Sequence, residues 1–368
     1  MFSLFKKKTG PPPETTPTFK TRVKTFWDWF PSQAARFSQS IENRTSAELA
    51  EEVSARVDQL LPGAAWEFSA NPNGPGHAFV LTGEGNLHLQ LLTQFWHKHA
   101  PSIPGWAFFP ARQPGPLRHS TLVINEREFA ASAFWLVPSI DAENERIDIT
   151  VWHPDFPHFD DRTRWTVLFL FLDQVLGEYG TQQSIGKITF GAEQLGNAIS
   201  ISEMSDFVSK ATAEHGWTRL PPGESASLYT AENPQSRFLR DDIISGTTVN
   251  MPLITEYARS SGQLANPIPD TGADYVFVAI NSNRFPSGQQ VMARGEIEDA
   301  LDLALNTHST GRLIGGAFGT KNAYIDLLMF DGDNTIELIR KTFADLPITR
   351  GATLHYFAHE KRGYKLPL

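Results

Sequence analysis

Residues 274–360 carry the pattern that most constrains this fold. Within them 275–280 reads as a strand, 296–305 as a helix, 312–318 and 323–330 as paired strands, 334–343 as a helix and 353–357 as a strand. That order, β-α-β-β-α-β, is the ferredoxin-like split pattern, which lays two helices on one face of an antiparallel sheet. Sandwiches of this kind host many unrelated activities, so function has to be sought in individual residues.

The same order is expected upstream: a strand to Ile124, a short helix through Phe129, strands over 133–138 and 146–152, a helix over 162–176 and a strand over 185–190. Ile147, Ile149 and Val151 alternate with Arg146, Asp148 and Thr150, as a sheet with one buried face requires. The 368 residues suffice for two cores. The expectation is therefore an α+β protein of two ferredoxin-like antiparallel sandwiches with extra N-terminal helices. Residues 1–22, with prolines at 11–13 and 17, read as a flexible lead-in. An α+β domain over 23–220 follows, then one over 221–368, parted by Leu220-Pro-Pro-Gly223. A first helix is expected to break near Pro31, and 224–270 to be a long, partly ordered excursion.

Charge and composition exclude several functions. The net charge of −9 argues against a nucleic-acid binder, which would carry a basic stripe. With no cysteine, disulfides, thiolate zinc sites and cysteine nucleophiles are absent together. Lysines 6–8 follow the apolar opening instead of preceding it, unlike a secretion signal; they form a solvated tail or touch anionic lipid. The apolar run at 165–172 is far too short to span a bilayer, so a soluble, cytoplasmic protein is expected. Neither a phosphate loop nor a Gly-x-Ser-x-Gly elbow occurs, and no cofactor is expected.

Three groups of side chains are candidates. His153, Asp155, His158 and Asp161 supply nitrogen and oxygen ligands for a divalent metal if they converge; otherwise Asp160 or Asp161 caps the following helix. Trp27, Trp29 and Phe30 either dock on the core or form a homodimer seam. His355, Tyr356 and His359 are either cross-strand and loop residues or, with Arg362 on an open sheet face, a place for an anion.

The acidic helix Gly295-Glu-Ile-Glu-Asp-Ala-Leu-Asp-Leu-Ala-Leu305, the glycine-flanked strand that follows Gly311, the Asp turn at 331–333 and the aromatic strand near Tyr356 resemble a bacterial domain of unknown function grouped with regulator of ribonuclease E activity B. Residues 151–157, 168–173 and 176–178 are similar to stretches of uncharacterised bacterial proteins carrying that domain. The resemblance implies no catalytic residues. It implies a non-catalytic binding or regulatory module that acts through contact with a protein partner. The alternative from the residues themselves is a metal-assisted hydrolase built on the 153–161 loop.

Overall fold

The computed structural model describes residues 16–117, 121–124, 127–231 and 234–368. In chain order the elements are α1 (Phe19–Glu42), α2 (Ala50–Leu60), β1 (Ala65–Ala70), β2 (His77–Thr82), α3 (Leu87–Lys98), β3 (Trp106–Phe109), β4 (Thr121–Ile124), β5 (Arg127–Ala130), β6 (Trp135–Asp141), β7 (Arg146–Trp152), α4 (Asp161–Ser184), β8 (Ile185–Phe190), β9 (Ile199–Ser200) and α5 (Met204–His215). They continue with β10 (Ser227–Thr230), β11 (Ile243–Thr248), α6 (Met251–Arg259), β12 (Asp274–Asn281), α7 (Gln290–His308), β13 (Gly311–Gly319), β14 (Asn322–Met329), α8 (Gly332–Ala344), β15 (Thr353–Tyr356) and β16 (Lys365–Pro367). The arrangement is α+β, and among the described residues no helix is long and apolar enough to cross a membrane.

The chain packs as two compact units. Of the described residues, those of Thr16–Gly63, Leu87–Leu91 and Gly223–Leu368 form the first, and those of Ala64–Asn86 and Leu92–Pro222 form the second. α1 and α2 therefore belong with the C-terminal sheet and not with a domain spanning 23–220. The backbone shows why. Two N–H groups that the first turn of a helix leaves without partners are taken up by that sheet's surroundings: Phe19 N–H donates to Gly272 O at 3.0 Å and Lys20 N–H to Phe330 O at 2.9 Å. The expected lead-in, with its lysines, lies outside the described residues as far as Thr15; from Phe19 the chain is helical.

α1 continues through Pro31 without breaking. Proline removes one backbone bond, but the face carrying Phe19, Val23, Phe26, Phe30 and Phe37 is buried along the whole helix, at about 1.5–3 kcal/mol per large side chain. That burial outweighs the lost bond.

In the first unit the sheet order is β10-β11-β13-β14-β12-β15-β16, antiparallel throughout. Val276, Val278 and Ile280 of β12 and Ile325 and Leu327 of β14 pack with Ile297 and Leu301 of α7 and with Ile336 and Ile339 of α8. The opposite face is covered too. Tyr257 of α6 meets the rings of Phe277 and Phe357, with centroids 6.1 and 5.1 Å apart. Residues 224–270 are thus largely a second covering layer and two added strands, not a loose excursion. A sheet buried on both faces needs such a cover, and the unbroken apolar run Tyr275-Val-Phe-Val-Ala-Ile280 is its signature.

The second unit holds three sheets: β1-β2-β3, the pair β4-β5, and β8-β7-β6-β9. Phe129 lies in a strand, not the expected helix. It is buried while its neighbours are exposed, the period of two that a hairpin edge on a core produces. The last sheet pairs β7 with β8 in parallel, linked by α4, and β4 stands outside it. Val167, Leu168, Phe171 and Leu172 of α4 cover Ile147, Ile149 and Val151.

Candidate functional site

The candidate site lies in the second unit, where α4 is interrupted at Gly177. There φ is 73° and ψ 158°, a backbone region that is essentially glycine's alone. A Cβ at this position would meet Pro114 Cδ at 2.9 Å and Arg112 O at 3.2 Å. An unbroken helix would bond the Glu178 N–H to Gln174 O. Instead the Glu178 N–H donates to Arg112 O at 3.0 Å, and Gln174 O accepts from the Gly115 N–H at 2.7 Å. Residues 112–115 are bonded into the gap, so the Glu178 N–H and the Gln174 carbonyl, both freed by the kink, find partners there.

This insertion sets the polar side chains. Glu178 is 2% exposed; its carboxylate accepts from the Thr82 hydroxyl, from the Gly85 N–H at 2.9 Å and from the backbone N–H of Arg112 at 3.4 Å. The Arg112 guanidinium pairs with Glu84, with Glu67 at 3.4 Å and with Asp173 at 3.7 Å. Burial alone would lower its pKa, but these carboxylates, Glu84 foremost, hold it above the ordinary value. Burial pushes the Asp173 carboxyl up to about 6, with Glu178 and Glu84 adding to the push and Thr181 and Arg112 opposing it.

Glu84, Arg112, Asp173 and Glu178 line a cavity of about 430 Å³, with Phe169 and Leu170 as its apolar side. Thr181 also lines it. Its hydroxyl favours the ionised form of Asp173 but lies outside hydrogen-bond geometry, so Oγ1, in a residue 4% exposed, has no partner among the described residues. Gln182 Oε1 is buried and unpartnered in the same wall, while its Nε2 donates to Gly85 O at 3.4 Å.

The residues singled out from the sequence are placed elsewhere. His153 is 2% exposed, among the rings of Phe129, Phe134 and Phe156. Its Nδ1 accepts from the Asp155 N–H at 3.1 Å, and burial lowers its pKa against the pull of Asp155. Asp155, His158 and Asp161 are exposed, with Asp161 in the first turn of α4 beside Arg164 at 3.3 Å, while Asp160 caps that helix by accepting from the Thr163 N–H at 2.7 Å. Among the described residues no group of three or more His, Asp or Glu side chains is placed to hold a metal. Trp27 and Phe30 are buried; Trp29 is half-buried, beneath the Arg56 guanidinium at 5.0 Å. Alternation along β15 sends His355 and Tyr356 to opposite faces: His355 stacks on Phe277 and Tyr356 joins the core under α7 and α8. His359 and Arg362 are exposed beyond the strand.

A second arginine cluster, in the first unit, was equally hidden from sequence. Arg240, at φ 74°, makes a two-pronged pair with Asp326 and donates to Tyr229 Oη at 3.2 Å. Its guanidinium lies 5.0–5.3 Å from the ring centres of Phe357, Tyr324 and Phe277. The signal for the α4 site was present but faint: Asp173, Gly177 and Glu178 follow directly on the apolar run 165–172 within one helix. Comparison with known protein families, curated proteins and solved structures finds no match for this chain.

Proposed function

We propose that this protein binds a small molecule in the cavity beside Gly177. One observation carries the reading. A helix gives up its regular bond at a residue only glycine fits, admits 112–115, and leaves a buried hydroxyl and a buried amide oxygen without partners in the wall of a cavity of ligand size. Buried polar atoms are normally satisfied, and a ligand supplies the missing partners. The strand order β13-β14-β12-β15, with α7 and α8 on one face, supports reading 274–356 as a ferredoxin-like sandwich, a scaffold without chemistry of its own. A binding role of this kind keeps the non-catalytic function suggested by the sequence but assigns it to a small ligand.

The test is a small-molecule library screened by ligand-detected NMR against the full chain and against Thr166→Trp, which places a large ring at the exposed rim of the cavity. The expected result is a set of binders that the variant loses. A library without binders, or binders indifferent to Thr166→Trp, would remove the proposal.

A further inference from the structure

We infer that the ligand is a small organic cation, an ammonium-bearing molecule with a flat apolar group; this rests on the cavity being a binding site. Charge points that way first. Glu84, Asp173 and Glu178 line the cavity, and Arg112 is the one cation in its described wall. That guanidinium is already engaged by Glu84, Glu67 and Asp173, so negative charge is left over. Carboxylate crowding alone would make no site. The independent observation is Thr181 Oγ1, in a residue 4% exposed, unpartnered and in the cavity wall, together with the unpartnered Gln182 Oε1. Both oxygens can accept, and an ammonium group brings three N–H donors and no acceptor.

The apolar side selects the rest of the molecule. Phe169 is 42% exposed and stacks on Trp165, with centroids 5.8 Å apart and planes 20° apart, presenting ring surface to a flat group or a cation. A metal ion would leave that surface unused, and no set of metal-ligating side chains is assembled among the described residues.

Calorimetric titration of the full chain with three probes of matched size tests the charge class: phenethylamine, 2-phenylethanol and phenylacetate. Phenethylamine is expected to bind at least tenfold more tightly than the other two. Asp173→Asn should weaken it about tenfold, and Glu84→Gln, which keeps the size of an exposed side chain, several-fold. Thr166→Trp should abolish it. Phenylacetate or 2-phenylethanol binding as well as the amine, no binding of the amine, or amine binding untouched by Asp173→Asn and Glu84→Gln would overturn the assignment. The library screen decides separately whether the cavity binds anything, so a failed charge class and a failed cavity are distinguishable.

Discussion

Arg240 in the first unit and Arg112 in the second are both withdrawn from bulk water and paired with carboxylates, yet their surroundings differ. Arg240 has Asp326 on two nitrogens, Tyr229 on one of them, and three aromatic rings around the rest; its side chain is 2% exposed. Nearby, Tyr324 donates to Asp242 at 2.5 Å, and Asp242 accepts from the Lys321 and Asn322 N–H groups at 2.8 and 3.1 Å. That network is closed, and it anchors the covering layer to the sheet. Arg112 instead shares three carboxylates, one of them held near pH 6, beside a cavity with two unpartnered oxygens. A satisfied buried network reads as structure, and an unsatisfied one beside open volume reads as a site.

The largest expected effect tests the closed cluster. Asp326→Ala leaves a buried guanidinium unpaired and should destabilise the first unit by about 3–5 kcal/mol. Urea denaturation followed by tryptophan fluorescence measures this, and a loss below about 1 kcal/mol would show that water reaches Arg240. Next comes the hinge of the open cluster. Gly177→Ala forces a side chain into a glycine-only conformation against Pro114 and Arg112, at about 1–3 kcal/mol, and should speed hydrogen exchange at the Gly115 amide.

Asp173 sharpens the contrast through pH. Its folded pKa, about 6, lies above the ordinary 3.8, so the folded state takes up its proton more readily than the unfolded state. Asp173 therefore favours folding below pH 4, and that contribution is lost as pH rises through 6. Asp173→Asn should flatten the stability profile between those values and raise stability at pH 8 by about 1–2 kcal/mol. A variant equally or less stable than the parent at pH 8 would mean that Arg112 compensates the charge in full. The smallest effect is at Thr181. Its hydroxyl stands outside hydrogen-bond geometry and only favours the Asp173 anion from there, so Thr181→Val should change stability by less than about 1 kcal/mol while weakening ligand binding. A larger loss of stability would place Thr181 in the structural network after all.

Much of the architecture could be read from local pattern. The alternation in 146–152 and the apolar runs of β12 and β14 fall where the strands form, and α7 and α8 arise where three- and four-residue spacing appears. The misreadings were tertiary. Pro31 does not end α1 because packing of the apolar face overrides its local cost, and Phe129 is a strand residue because one buried position between exposed ones suits a hairpin edge.

The sequence by itself determined the α+β class and the absence of thiol chemistry, whereas the strained backbone that reserves position 177 for glycine came from the fold. Only the tertiary structure decided which charges meet. Glu67, Glu84, Arg112, Asp173 and Glu178 come from four separate stretches of chain, and their proximity follows from a backbone insertion into a broken helix. The 153–161 loop shows the converse: residues adjacent in sequence and chemically suited to a metal are parted, because the core takes His153 and solvent takes the rest. Side-chain chemistry is local, but burial and pairing are set by packing, and both the closed cluster and the open one exist only at that level.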